Sequence, residues 1–286
     1  MTRVHVSAWA LAAIAAVATS AASNEKLAMV TVVADQGKAA AGLTPADFTV
    51  KEDKDAVQVI EAVPARDPLS VVVLVDTALP ADGAAVTLET RNAVKAFVAT
   101  LQTGDPGAQI ALYKVANAAI PVTDFTASRA DLDAGIDAIA SGTSAGSAML
   151  EGVVTAAKRI GDRPAPRRAI VCVAIGTADG TNMQPKIVTD AILKSGATLW
   201  VVSVQGAGDA SLTNRDAVWT RATADSGGLR QNTPQATRIE SRLQAVANSL
   251  MSQYFLKMVR KSDGAVKGLA GQTTQGSQVL FTHWMR

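Results

Sequence analysis

The sequence is poor in the residues that build disulfides, metal centres and imidazole chemistry. It holds one cysteine, Cys172, and two histidines, His5 and His283, in 286 residues. A single cysteine excludes an intrachain disulfide framework and a cysteine-based zinc site. Two histidines exclude chemistry that needs several imidazoles. Aromatic residues make up only 4% and charged residues 18%. Neither sign of charge dominates: Lys+Arg of 27 against Asp+Glu of 25 leave +2, with no basic run. Bulk charge therefore offers no hold on a nucleic acid. Beyond the N-terminus no stretch approaches the about 20 apolar residues that span a bilayer, so the mature chain is expected to carry no transmembrane span. Apolar residues, by contrast, are plentiful at 48%. That is enough for a core and excludes a wholly disordered chain. The length allows one large domain or two small ones.

Residues 1–22 read as a signal peptide. Arg3 gives a positive start, Ala8 to Ala18 an apolar run, and Ser20-Ala21-Ala22 small residues before a cleavage point, followed by the polar Asn24, Glu25 and Lys26. The run is too short to span a bilayer. A secreted or periplasmic location follows, with an uncleaved anchor as the alternative.

Four apolar runs stand out: Val71 to Val75, Ile110 to Tyr113, Ala169 to Ile175 and Leu199 to Val204. They do not alternate, so both faces should be buried, as in a parallel sheet. Helical patterns lie between them. Val94, Phe97, Val98 and Leu101 recur at helical spacing, as do Leu132, Ile136 and Ile139 after a cap at Ser128 with Asp131 three residues on. A third helix is expected over Met149 to Ile160, and a fourth from Pro185 to a stop near Gly196. Strand–helix alternation of this kind predicts βαβ units around a mainly parallel, doubly wound α/β sheet. Ile120 to Phe125 is expected as an antiparallel edge strand after a tight turn at Asn117, and Tyr254 to Met258 as a parallel strand beyond 198–204. The first mature residues differ. Met29 to Val33 is apolar, Phe48 and Val50 alternate with Thr49 and Lys51, and Val57 and Val59 alternate with polar neighbours. This reads as a small accessory β unit, expected to pair residues 27–62 with the strand-like 278–284. Lys261 to Gly276 is Gly-, Ser-, Thr- and Gln-rich and reads as loop. The expected units are a signal at 1–22, a β unit at 23–66, the α/β domain at 67–260 and a C-terminal loop and strand at 261–286.

The order Val32-Val33-Ala34-Asp35, Gly37, Gly42-Leu43, Asp47-Phe48-Thr49-Val50, Glu52-Asp53, then Ser70 to Asp76, resembles the opening of bacterial secreted proteins with a von Willebrand factor type A domain. Ser226-Gly227-Gly228, the helix with Leu243, Val246 and Leu250, and Gln253-Tyr254-Phe255-Leu256 resemble the same group's closing motifs. The resemblance covers about residues 27–260. It implies a metal-ion-dependent adhesion site: Asp-x-Ser-x-Ser after the first strand of the domain, a threonine in a later loop, and an aspartate ending the fourth strand. A hard cation wants about six oxygens at about 2.0–2.6 Å. On the matching positions this site is degenerate. Asp76 keeps the first ligand and Thr143 the loop threonine, whereas the serine positions are Ala78 and Pro80 and the final aspartate position is Ile175. No metal and no cofactor, Mg²⁺ included, is expected there. Asp179 is the residue placed to rescue the site, with Thr77 or Ser144 in support.

Other chemistry is weaker. Gly142-Thr143-Ser144-Ala145-Gly146 matches G-x-S-x-G, with Asp179 or Asp209 as acid and His283 as base, but the element entering it is helix-spaced and no Gly-rich oxyanion loop is evident. Gly206-Ala207-Gly208 has Ser211 where a dinucleotide loop needs its third glycine. Ser23-x-x-Lys26 falls at the signal junction. Cys172 sits in an apolar strand and reads as a small buried hydrophobe, Trp200 and Trp219 as core, and His283 beside Trp284 as surface. Arg163, Arg167 and Arg168 around Pro164 and Pro166 read as a solvated loop. The sequence thus implies a non-enzymatic type A module that binds a protein partner. A serine hydrolase using Ser144 and a structural subunit of an envelope assembly are the alternatives.

Overall fold

The computed structural model describes residues 25–34, 38–78, 84–141, 146–175, 179–181, 183–204, 213–260 and 268–285, without the side chains of 84, 213, 214 and 283–285. Its central sheet runs β6-β5-β4-β7-β8-β9. These strands are β4 (Leu69–Asp76), β5 (Gln109–Val115), β6 (Ala119–Thr126), β7 (Arg167–Ile175), β8 (Thr198–Val204) and β9 (Arg230–Thr233). All neighbours are parallel except β5 and β6. β7 lies between β4 and β8, as its continuous apolar run requires.

Helices cover both faces. On one, α1 (Ala84–Gly104), α2 (Arg129–Asp137) and α6 (Ile239–Leu250) bury Phe97, Leu101, Leu132, Leu243 and Val246 against Val71, Val73 and Val171. On the other, α3 (Met149–Gly161), α4 (Pro185–Ser195) and α5 (Thr213–Ser226) bury Met149, Val153, Val188, Ile192 and Trp219 against Val72, Leu74 and Cys172. Each large apolar side chain moved from water contributes about 1.5–3 kcal/mol before entropy is charged against it. Local signals place the ends. Ser128 caps α2 by accepting from the Asp131 amide, and α4 opens on Pro185 and closes on Gly196 in the left-handed conformation, φ 68°. The Ser226-Gly227-Gly228 turn joins α5 to the strand that follows. Gly227 has φ 76°, and a Cβ at Gly228 would overlap the Leu199 carbonyl of β8.

A second, antiparallel sheet closes on itself as a six-stranded barrel, in the order β1-β10-β3-β2-β11-β12. Its strands are β1 (Glu25–Val32), β2 (Phe48–Glu52), β3 (Asp55–Pro64), β10 (Gln253–Val259), β11 (Leu269–Thr273) and β12 (Gln278–Met285). The N- and C-terminal segments do pair, in register Val30↔Phe281 and Thr31↔Leu280. Three expectations are corrected. Tyr254 to Met258 is not a parallel strand beyond β8; it pairs antiparallel with β1 and β3, and β9 takes the place beside β8. Leu269–Thr273, within the expected loop, is a strand between β2 and β12. Arg167 and Arg168 do not lie in a solvated loop: both begin β7, and Arg167 is 3% exposed. Inside the barrel Tyr254, Leu256 and Met258 meet Val30, Phe48 and Val50, with the Phe48 and Tyr254 rings edge to face at 5.7 Å. The barrel joins the α/β domain where Arg167 donates to Gln253, which in turn donates to Thr31 of β1.

Candidate functional site

Asp76 ends β4, and strand alternation turns it toward the face covered by α3, α4 and α5. It is 1% exposed. Its two oxygens accept backbone amides, Oδ1 from Ala78 at 3.1 Å and Oδ2 from Ile175 at 3.2 Å. The Ile175 position therefore supplies a donor to this carboxylate. Beside it, the Thr77 amide and hydroxyl both donate to the Val115 carbonyl, at 2.7 and 3.0 Å, which turns that hydroxyl away from Asp76. Thr143 and Ser144, in the loop before α3, and Pro80, after β4, lie outside the described residues.

Asp179 is half-buried and tied to the start of α3. Its Oδ2 accepts from the Leu150 amide at 3.0 Å, and its Oδ1 from the Thr181 amide at 2.9 Å and from the Thr181 hydroxyl. Ser147 and Asp179 form a parallel bridge, and the Gly180 amide donates to the Ser147 carbonyl. A carboxylate at a helix N-terminus is favoured by the helix dipole. Among the described residues no group of three or more His, Cys, Asp or Glu side chains converges to hold a metal ion.

The sequence reading missed Arg215. It stands in the first turn of α5 at 1% exposure, and none of its three side-chain nitrogens has a hydrogen-bond acceptor among the described residues. Burial pushes the guanidinium below its ordinary pKa; Asp76, Asp179 and Asp216 pull it back up, and Arg230 opposes them. A signal was present: Arg215, Val218, Trp219 and Ala222 form one i, i+3, i+4, i+7 stripe whose other three members are core.

Ser144 and the His283 side chain, the nucleophile and base of the serine-elbow alternative, lie outside the described residues, and their described neighbours are Gly146 and Thr282. Gly146, the last residue of the motif, lies against Gly180, next to Asp179. Thr282, which precedes His283, lies against Gly227 beyond the last turn of α5. Asp209 and the Gly206-Ala207-Gly208 stretch lie outside the described residues, as do Ser23 and the His283 and Trp284 side chains. Trp200, Trp219 and Cys172 are fully buried.

A doubly wound sheet with a polar site at the carboxyl ends of its strands defines a nucleotide-fold-like α/β domain. Residues 70–217, more than half of the chain, match the model of the von Willebrand factor type A domain, and the chain belongs to that family. No curated protein matches it. Its fold is similar to a von Willebrand factor type A protein from Catenulispora acidiphila, at 11% identity and TM-score 0.51, covering 93% of this chain and 74% of that one. It is also similar to proximal thread matrix protein 1 from the mussel byssus, at 17% identity and TM-score 0.52, covering 70% and 50%. A mutant of the PilB minor pilin from Streptococcus sanguinis has 9% identity and TM-score 0.50, covering 66% and 63%. The chain thus spans half of the mussel protein and less than two thirds of the pilin.

Proposed function

We propose that the mature chain is a secreted or envelope-associated module that binds a protein partner without a metal ion. The observation that carries this reading is the engagement of Asp76: both of its oxygens hold backbone amides, from Ala78 and Ile175, positions with no side-chain oxygen. A divalent ion there would have to displace those amides and would meet about six-fold coordination only by keeping most of its water. The donor set does not fit the ion. Family membership supports an interaction module, and no catalytic constellation assembles among the described residues. Residues 1–22, with their positive start, apolar run and small residues, support export; the chain recovered outside the cytoplasmic membrane is expected, by mass spectrometry, to begin at residue 23 or 24.

The test is capture from an envelope extract by the immobilised mature chain, read by quantitative mass spectrometry in Mg²⁺ and in EDTA. The same proteins are expected at the same yield in both. Capture that EDTA abolishes, that Mg²⁺ restores and that Asp76→Ala removes would overturn the metal-free reading.

A further inference from the structure

We propose that Arg215 is the resident cation of the oxygen-rich centre at the carboxyl ends of β4 and β7, a tethered guanidinium that balances Asp76 and Asp179 in place of a dissociable ion. This rests on the metal-free reading of the site, and it goes further by naming what takes the ion's part. It does not depend on any partner.

Three observations converge. Val218 and Trp219 are fixed in the core between α5 and the sheet, so the stripe they share with Arg215 turns Arg215 to the same face. One turn nearer the helix start, and with side chains leaning toward the helix N-terminus, Arg215 reaches toward the carboxyl ends of the strands. On that face alternation places Asp76 of β4, Cys172 and Ala174 of β7 and Ser203 of β8. The small side chains of β7 leave room for a guanidinium. Asp76 and Asp179 favour the charged form of Arg215, and Arg215 in turn favours the charged form of the Cys172 thiol of β7, in keeping with the face that the α5 stripe gives it.

The second observation is burial without contact neutralisation. Arg215 is 1% exposed, and its Nε, Nη1 and Nη2 have no acceptor among the described residues. A charge is not tolerated in an interior unless other charges compensate it. Asp216, the adjacent acid, is already bridged to Arg230 at 2.8 Å. Asp76 and Asp179 also favour the charged guanidinium, and each accepts backbone amides.

The third is the composition of the centre. Beside Asp179 stands Ser147, its hydroxyl fully buried with no hydrogen-bond partner among the described residues, together with Thr181 on Asp179. Carboxylates and hydroxyls are the donors a hard cation prefers, and the cation this fold holds among them is an arginine. A chelator cannot remove it.

The test is a double-mutant cycle in the full mature chain, read as the thermal unfolding midpoint. Arg215→Met and Asp76→Asn are each expected to lower the midpoint by several degrees. In the Arg215→Met background, Asp76→Asn is expected to cost less than half of what it costs in the wild type, because the carboxylate has lost its cation. Arg215→Lys, which keeps the charge, is expected to restore more than half of the loss. Strict additivity, or Arg215→Lys no better than Arg215→Met, overturns the proposal. Should Arg215→Met not fold, Arg215→Gln and Arg215→Lys are compared by urea midpoint, and equal values overturn it. Millimolar Mn²⁺ stabilising the wild type as much as it does Arg215→Ala would also overturn it. An additive cycle leaves EDTA-resistant capture untouched, and capture that fails in EDTA leaves the cycle untouched, so the two readings fail separately.

Discussion

Arg167 opens β7 with its guanidinium donating to Gln253 Oε1 at 2.8 Å, the Leu250 carbonyl at 2.7 Å and the Asp67 carbonyl at 3.0 Å, with Asp105 at 3.6 Å. Burial pushes its pKa down, and Asp105 and Asp67 pull it back up. Arg167→Met leaves these buried acceptors unpaired and is expected to cost about 3 kcal/mol in urea unfolding; a loss within about 0.5 kcal/mol, as at an ordinary surface site, would refute that role. Cys172 is the opposite case, a group kept neutral. Burial drives its thiol far above the ordinary range, with Arg215 pulling weakly the other way. Because the folded value is raised, this preference for the fold is complete below the unfolded thiol value of about 8.5 and is lost as pH rises through the folded one. At pH 8 a thiol reagent is therefore expected to label Cys172 only as fast as the chain unfolds, and urea should accelerate it. Fast labelling of the native protein would contradict the buried strand position.

Between elements the tightest constraint is the turn from α5 into β9. Gly228→Ala places a Cβ on the backbone carbonyl of Leu199, which cannot move without breaking β8 from its neighbours. The expected loss is about 3 kcal/mol. Gly276→Ala is the control: its Cβ meets open space, so only the strain of φ 85° remains, about 1 kcal/mol. Equal urea midpoints for the two variants would remove the steric argument. Elements of this kind were unevenly legible. The α1, α2, α3 and α4 stripes and caps are local, and they stand where the spacing puts them. β9, Arg230–Thr233, and β11, Leu269–Thr273, carry no β-branched run. They are strands because β8, β2 and β12 offer backbone partners, and no local pattern reports that. Gly271 of β11 has a reason of the same tertiary kind: a Cβ there would press on Val279 and the Phe281 ring.

At the scale of the molecule, the α/β domain is an insertion between β3 and β10 of a barrel built from both ends of the chain. Closure leaves that sheet no open edge. Deleting residues 278–286 removes β12, exposes β1 and β11 as edges and uncovers the barrel interior. Limited proteolysis should then cut within 25–64 at least tenfold faster, while 69–250 persists as a resistant fragment. Unchanged resistance of 25–64 would show that the barrel does not depend on closure. Among the described residues no helix is long and apolar enough to cross a membrane.

The sequence by itself determined the doubly wound sheet. Runs apolar on both faces can be stable only as buried parallel strands, and the stripes between them can be stable only as helices laid over those strands. Those runs also placed Asp76 and Ile175 at the strand ends where a site forms. Tertiary structure decided what depends on distant partners. Residues 253–259 alternate, with Tyr254, Leu256 and Met258 buried and Phe255, Lys257 and Val259 half-exposed. A strand with Lys257 facing outward at its middle suits a sheet with one solvated face, yet only the pairing with β1 and β3, chain segments some two hundred residues away, says which sheet it joins. The carboxylates of the site were likewise legible as residues, and their cation was not. Arg215 shares a stripe with Val218, Trp219 and Ala222, and it is the burial of those three that turns the stripe, and the arginine with it, inward.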